Sequence, residues 1–543
     1  HTYVIKNLSL RNVFFVRVGC WLMSQADLYM DPEKTEHSPP AQSRARGGHW
    51  AFCVALISSL GAFLFGLDIG YIGPILECQS FKRDVAQLED WQKPGSKISS
   101  GAAGFIVSVF SIGCVVISCP AISSHFLDGW GRKGSIMLGS SVFIVGCLIQ
   151  ALSNSFTQMC MGRLIAGCSI GLLSTVVPLY QSEIAPAAIR GCLTSLYNFM
   201  VTCGIFVAAA LDVPLVKVDS GWRLAIYLQA LPALVLLLGM SILPRSPRWL
   251  VQKGRTEEAL EVLQSIREES EALIEFEDIR AEFEKARAIG IVSWRDLCGG
   301  RIGRLLIVGT SMQLLQQLVG MNAFMYFGPR VFGSLGLEAT RFQMLNNAVN
   351  CAATLPALAF VDRCGRRSLL ALGAAGMMVA CLMMGIVGMA CVSVDGGQLA
   401  ASSGTVGAIV AMVFFFVSNF AYSWGPIVWV YCAEIFPLSH RSRCIGLTTM
   451  ANWIGNFLIA QLTPVLLEGL GFGTFFIFAA FCLLSLALAV WIPETKGVPL
   501  ECIAQLFDAK FGTAGTEGHT APEASVMGVE IATSFDEASW LRA

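Results

Sequence analysis

Asp128-Gly-Trp-Gly-Arg-Lys133 and Asp362-Arg-Cys-Gly-Arg-Arg367 stand 234 residues apart, each set between long apolar stretches. Two further tags repeat in the same order. Glu183-Ile-Ala-Pro-Ala-Ala-Ile-Arg190 recurs as Glu434-Ile-Phe-Pro-Leu-Ser-His-Arg441 at an offset of 251, and Pro244-Arg-Ser-Pro-Arg248 is echoed by Pro493-Glu-Thr-Lys-Gly497 at an offset of 249. Three charged tags in one order at nearly one offset describe a membrane unit written twice. Parallel repeats in an apolar chain are the sequence form of a transporter with two similar halves.

Of the 543 residues, 55% are hydrophobic and 14% charged, with a mean hydropathy of +0.63. Soluble domains carry roughly 25% charged residues, so most of this chain faces something other than water. Apolar runs of about 20 residues are long enough to span a bilayer. They fall at 50–75, 101–124, 135–153, 160–180, 192–212 and 222–243, then at 303–333, 342–361, 368–391, 406–435, 443–467 and 472–492. These predict twelve spans, six per half, and an all-α membrane protein with two pseudo-symmetric bundles. The net charge of −1 offers no basic surface for nucleic acid. Many of the 19 cysteines lie singly inside apolar runs, as Cys53, Cys114, Cys147, Cys381 and Cys482 do, where Cys acts as a small hydrophobe. No CxxC pair or Cys/His grouping has metal-site spacing, so neither metal nor cofactor is expected.

Basic residues mark the cytoplasmic face. Arg132 and Lys133 follow span 2, Arg190 follows span 4, Arg363, Arg366 and Arg367 follow span 8, and Arg441 and Arg443 follow span 10. All of these loops share one side when both termini are cytoplasmic. The expected organisation is a polar leader over 1–49, a six-helix bundle over 50–243, a cytoplasmic linker over 244–302, a second bundle over 303–492 and a cytoplasmic tail over 493–543. In the linker, Glu257, Glu258, Glu261 and Glu268 interleave with Leu260, Leu263 and Ile266 as short amphipathic helices. The chain begins with His1, and Met23 and Met30 are candidate starts.

In the cassettes, Gly131 supplies the turn between two spans, Asp128 is a candidate acceptor, and Arg132 and Lys133 hold the topology signal. With Glu183, Arg190, Arg248, Asp362, Arg366, Glu434, Arg441 and Glu494, they predict a charge network that forms when the cytoplasmic side is shut and parts when it opens. The bland reading of any one cassette is a topology charge at a loop end; duplication of all three argues for the network.

From about residue 50 to 507 the chain resembles the sugar porter branch of the major facilitator superfamily, close in pattern to proton-coupled hexose carriers of fungi and plants. The resemblance rests on the Asp128 cassette, Gly162-Arg163, Pro178-x-Tyr180-x-Ser182-Glu183, Arg190-Gly191 and Pro244-x-Ser-Pro-Arg248-Trp-Leu. In the second half it rests on Gln316-Gln317-x-x-Gly320-x-Asn322, Gly425-Pro426-x-x-Trp429, Glu434-x-Phe-Pro437 and Pro493-Glu-Thr-Lys-Gly497. It implies the twelve-helix fold and carriage of a sugar with a proton. The plasma membrane is the expected site, with no partner beyond bilayer, sugar and proton; a monomer suffices, and the oligomeric state is open.

Asp68 sits midway along span 1, where an acid is expensive unless paired or functional. Arg163, in span 4, is its candidate partner. An ion pair favours the charged acid, so protonation of Asp68 would free Arg163 and relax two helices against each other. The resemblance implies the same roles; the plain alternative is a structural buried pair.

A monosaccharide needs amide and hydroxyl partners and an aromatic face. Span 7 offers Gln316, Gln317, Asn322 and Tyr326, with Gly320 placed to break the helix, and broken helices line transporter sites. Span 8 adds Asn350, span 10 Trp429, and span 11 Asn452, Trp453 and Asn456. Each amide alone could be helix-to-helix glue. The resemblance places the set, together with Phe65, at sugar-contacting positions. Two departures stand out: Asn198 where the family usually has Gln, and Arg245 where it usually has Glu. Arg330, at the outer end of span 7, is an unusual base that suits an anionic substrate. The rival readings are therefore a carrier of sugar acids or quinate-like acids, and a non-transporting sugar sensor. Sensors tend to have long tails, whereas only 493–543 follows the last span. No nucleophile–base pair supports an enzyme.

Overall fold

The computed structural model describes residues 53–92, 96–185, 190–289, 297, 299–395, 398–436, 440–496 and 507. The expected leader and most of the tail lie outside these residues. In chain order the first bundle contains α1 (Leu60–Glu77), α2 (Gln79–Asp84), α3 (Ser100–Ser118), α4 (Pro120–Gly129) and α5 (Gly131–Ala151). It continues with α6 (Phe156–Ile184), α7 (Arg190–Leu215) and α8 (Gly221–Ile242). Three further helices follow: α9 (Pro247–Gln252), α10 (Thr256–Ile266) and α11 (Glu269–Ile289). Trp249, Leu250, Ala259, Leu263, Ala272 and Phe276 bury one small shared core among them.

The second bundle comprises α12 (Gly300–Leu318), α13 (Met321–Ser334), α14 (Ala339–Cys364), α15 (Arg366–Cys391), α16 (Ser403–Tyr422), α17 (Trp424–Ile435), α18 (Arg441–Leu470) and α19 (Thr474–Trp491). Between α15 and α16, β1 (Ser393–Asp395) and β2 (Gln398–Ala400) pair antiparallel, Ser393 opposite Ala400. The sequence reading did not anticipate this hairpin, which lies outside the spans and leaves the membrane fold all-helical.

Nine described helical stretches are long and apolar enough to cross a membrane. The stretch Arg443–Trp491 holds two crossings, α18 and α19. The broken pair α12–α13 and the amide-rich α14 supply the remaining two, for twelve. Helix α14 falls below the hydropathy of its neighbours because Gln343, Asn346, Asn347 and Asn350 are all buried along it. On α8, Leu231, Leu234, Leu238 and Ile242 form an exposed stripe at helical spacing. Such a stripe is a liability in water and the matched surface in lipid.

Helix α5 packs on α6, α1 on α7 and α3 on α6; across the molecule, α3 runs against α18 and α7 against α14. The two bundles therefore meet along two seams. Serines cap four described helices: Ser99, Ser155, Ser246 and Ser402 each accept from the backbone N–H three residues on, at the starts of α3, α6, α9 and α16. At the end of the molecule away from the cassettes, burial works against the Asp84 charge. Hydrogen bonds and charge from Arg83 and Arg223 outweigh it and hold that carboxyl below its usual range.

Candidate functional site

Asp68 on α1 and Arg163 on α6 meet as a buried pair, Nη2 to Oδ2 at 3.3 Å. The arginine is held on three further sides. Its Nη1 donates to the Tyr71 hydroxyl at 2.7 Å, and its guanidinium lies over the Phe110 ring at 5.1 Å and the Tyr71 ring at 5.7 Å. Tyr71 in turn donates to Gln150 Oε1 at 2.5 Å. Tyr71, Gln150 and Phe110 escaped the sequence reading, because only the approach of α1, α3 and α5 to α6 makes them neighbours of Arg163. Asp68 Oδ1 and Arg163 Nε have no hydrogen-bond partner. The pair is therefore incompletely satisfied, with one carboxylate oxygen still able to take a proton.

Gly320 breaks span 7, as its placement suggested. It adopts φ +93° between α12 and α13, and a Cβ there would lie 2.8 Å from the Phe478 ring. The break turns the amides of α12, α13 and α18 toward one another. Asn452 Nδ2 donates to Gln316 Oε1 at 2.6 Å and to Gln313 Oε1 at 2.7 Å, while its Oδ1 accepts from Gln317 Nε2 at 3.0 Å. Gln317 Oε1 accepts from Asn322 at 2.6 Å, and Asn456 Oδ1 accepts from Tyr326 at 3.1 Å. Gln316 Nε2 also donates to the Trp424 and Gly425 carbonyls, at the Ser423 break between α16 and α17.

Two members of this cluster were not foreseen. Gln313 sits one turn before Gln317 on the same face, a spacing that could have flagged it. Ser111 on α3 donates to Asn456 Oδ1 at 2.8 Å from the opposite bundle, and a lone serine in an apolar helix carries no such signal. Trp453 is fully buried, with its indole N–H unpartnered. Its ring meets Phe65 at 5.1 Å and Phe110 at 6.0 Å, both edge-on. Phe110 thus touches both the Arg163 guanidinium and Trp453, linking the charge pair to the amide cluster across the bundle seam. Asn198, Asn350 and Trp429 lie on α7, α14 and α17, and their side chains hydrogen-bond to none of these residues.

Four members of the expected charge network pair inside their own halves. Arg132 pairs with Glu183 at 2.8 Å, and Glu183 also accepts from the Ser246 hydroxyl. Arg366 pairs with Glu434 at 3.0 Å, and Glu434 accepts from Thr495 at 2.7 Å. Each of these links stays within one bundle, so they staple helices of the same half. The Asp128 carboxylate is exposed and accepts nothing from the described residues; its backbone carbonyl accepts from the Trp249 indole at 3.1 Å. Glu183 plays the acceptor part expected of it. Arg441 donates to the Phe436 carbonyl at 3.4 Å, and Arg248 is engaged in a further contact. The side chains of Arg190 and Asp362 lie outside the described residues.

The two copies of the third tag diverge. Glu494 accepts from the backbone N–H groups of Arg366 and Arg367, at 2.8 and 2.9 Å, and so caps α15. Arg245, at the matching place in the first copy, lies over the Trp249 ring at 5.3 Å. Gly131 and Gly365 take positive φ, +75° and +83°. A Cβ at Gly131 would meet Trp249 at 2.8 Å, and one at Gly365 would meet Glu494 at 2.7 Å. Arg330 also departs from expectation: it pairs with Glu77 on α1 at 3.1 Å, across the seam. With Lys217 on Glu338 at 3.0 Å, it ties the bundles at the end opposite the cassettes and is not a spare cation for substrate.

The family model described as Sugar (and other) transporter matches residues 54–507. The chain is 34% identical to H(+)/hexose cotransporter 1 of Parachlorella kessleri, over 85% of this chain and 89% of that protein. It is 35% identical to the galactose-proton symporter of Escherichia coli strain K12, over 86% and 96%. The solved structure of the major facilitator superfamily proton:xylose symporter XylE, bound to 6-bromo-6-deoxy-D-glucose, superposes with a TM-score of 0.70. That match has 26% identity and covers 84% of this chain and 99% of that one. The chain belongs to the sugar porter family of the major facilitator superfamily, as an integral multi-pass membrane transporter.

Proposed function

We propose that the chain imports a monosaccharide, a hexose or a pentose, together with a proton by alternating access. The observation that carries this is the buried Asp68–Arg163 pair with one open carboxylate oxygen, a single aromatic contact away from the amide cluster. Protonation of Asp68 removes the charge that holds Arg163. The guanidinium is then free to shift on Phe110, and Phe110 bears on Trp453. A proton on one bundle thereby biases the packing of the other, which is the differential interaction that a coupled cycle needs.

In this reading Gln316, Gln317, Asn322, Tyr326, Asn452 and Asn456 exchange bonds among themselves for bonds to sugar hydroxyls, with Phe65 and Trp453 as the aromatic surface. Asn198, Asn350 and Trp429 join the set on the resemblance alone. The cassette end faces the cytoplasm, both termini lie inside, and the plasma membrane is the site. The charge pairs at that end keep each bundle rigid while the two rock. A sugar acid would need a spare base, and the two candidates are occupied: Arg163 by Asp68 and Arg330 by Glu77. The relatives named above are symporters and cotransporters, in keeping with transport rather than sensing.

The test is uptake of a labelled sugar panel in a host lacking its own sugar carriers, with and without a protonophore. The expected result is accumulation of at least one hexose or pentose that collapses when the protonophore is added. Uptake untouched by the protonophore would sink the proton claim, and uptake of acids alone would sink the sugar claim. Within the amide cluster the largest loss is expected at Asn452. Removing its amide strands Gln313, Gln316 and Gln317 together, and one buried polar group left unpaired costs about 1–3 kcal/mol. Asn452→Leu should therefore raise the half-saturating sugar concentration about 5- to 100-fold in exchange assays, and an unchanged value would remove Asn452 from the site.

A further inference from the structure

Another buried acid lies outside the machinery described so far. Asp212 on α7 is 1% exposed, and neither carboxylate oxygen has a hydrogen-bond partner. Gln229 on α8 is 3% exposed, and neither its amide oxygen nor its amide nitrogen has one. Both line a single cavity of about 240 Å³ between α1, α7 and α8, whose other walls are mostly apolar. Tyr71 lines the same cavity from α1, and its hydroxyl is the one that accepts from Arg163.

Among the described residues, charged groups on the helices packed against α7 are committed elsewhere. Asp68 and Arg163 hold each other, Glu77 holds Lys82 and Arg330, and Arg223 on α8 reaches Asp84. From α6 and α17, Glu183 and Glu434 are held by Arg132 and Arg366. Arg341 on α14 pairs with Glu338, and Cys351, on the same helix, meets Cys203 of α7 itself. Tyr71 is the titratable group from these helices that faces the cavity. An ionised Asp212 would stand unneutralised in an apolar wall, a state that buried carboxylates avoid by pairing or by taking a proton.

We propose that Asp212 is a second proton-binding site of this chain, with Gln229, which lines the same cavity, turning to clamp the protonated acid. The chemistry is a proton transfer from hydronium: the carboxylate gains the proton and one water is left. The acid O–H then donates to Gln229 Oε1, while Gln229 Nε2 donates to the remaining carboxyl oxygen. An amide is the side chain that can satisfy both sides of a neutral carboxylic acid. A hard metal cation fits poorly, because such ions gather about six or more oxygens and these walls offer one carboxylate and one amide oxygen. Tyr71 forms a wall shared with the Asp68–Arg163 pair, so a charge change at Asp212 is placed to be felt there. That coupling, unlike proton binding itself, rests on the proton-driven reading above.

The test is infrared difference spectroscopy on the purified full chain in liposomes, titrated across the neutral range. Beside it, the steepness of sugar uptake against proton concentration is measured in the same liposomes. The expected result is a protonated-carboxyl band that persists in Asp68→Asn, disappears in Asp212→Asn, returns in Asp212→Glu and shifts in Gln229→Leu. The dependence of uptake on proton concentration should be less steep in Asp212→Asn than in the parent. A band unchanged by Asp212→Asn would overturn the proposal, as would a signal at Asp212 that answers to sodium rather than pH. Should the parent show no proton-dependent uptake, the proposed function fails while the infrared band still decides Asp212. Elution of each variant as a single species shows that the loss of a band is not the loss of the fold.

Discussion

Asp68→Asn should abolish accumulation while sugar still exchanges across the membrane. Asparagine keeps the shape of the side chain and can still accept from Arg163, so the fold and the amide cluster are left in place. What it cannot do is alternate between a charged and a protonated form. At 100 mV the field adds about 2.3 kcal/mol for each charge moved, or about 50-fold in sugar concentration. The parent should therefore concentrate sugar tens of fold in energised vesicles, and the variant should stop at an inside-to-outside ratio of about one. Counterflow of labelled against unlabelled sugar separates this outcome from simple inactivation. An Asp68→Asn protein that still concentrates sugar would remove Asp68 from the coupling step.

The second large effect is expected at Arg163, and it falls on stability. Taking one partner from a buried ion pair leaves a charge without compensation and costs about 3–5 kcal/mol. Arg163→Met keeps the bulk against Phe110 but strips Asp68 and the Tyr71 hydroxyl of their donor. The single variant should melt well below the parent. The double variant Asp68→Asn with Arg163→Met should recover most of the loss, because neither member of the pair is then left as an uncompensated charge. Thiol labelling during a thermal ramp is a convenient readout, since Cys114, Cys147, Cys381 and Cys482 are buried and free. Equal melting of the single variant and the parent would mean that the pair is not what holds α1 to α6.

The uneven pairing of the two halves bears on how such a carrier moves. In the first bundle Glu183 holds Arg132 and Ser246, while Arg245 turns onto Trp249. In the second, Glu494 caps α15 directly through two backbone donors. The Arg132–Glu183 and Arg366–Glu434 pairs at the cassette end lie inside bundles, whereas Arg330–Glu77 and Lys217–Glu338 cross between them at the other end. These two ion pairs between bundles thus sit where the sequence suggested a substrate-steering base.

Much of the fold was legible in the chain itself. The repeated tags, the spacing of apolar runs and the placement of Gly320 depend on local chemistry: bilayer thickness, helix rise and the backbone freedom of one glycine. Asp68 and Arg163 were also readable, because a charge inside an apolar span is conspicuous wherever it falls. The partners of those charges were not. Tyr71, Gln150 and Phe110 became neighbours of Arg163 only when α1, α3 and α5 closed on α6, and Ser111 reached Asn456 only across the bundle seam.

Asp212 sits near the end of an apolar run and reads as a boundary charge. Its burial at the cavity it shares with Gln229 depends on how α8 lies against α7. Which way Arg330 turns was equally a matter of packing, since Glu77 lies 253 residues away in the chain. The sequence by itself determined the spans, the duplication and the presence of an intramembrane acid and base, all of which follow from periodicity and transfer energy along one segment. The tertiary structure alone decided which groups meet. A hydrogen bond needs its atoms within about 3 Å, and only the packing of separate helices sets distances that fine.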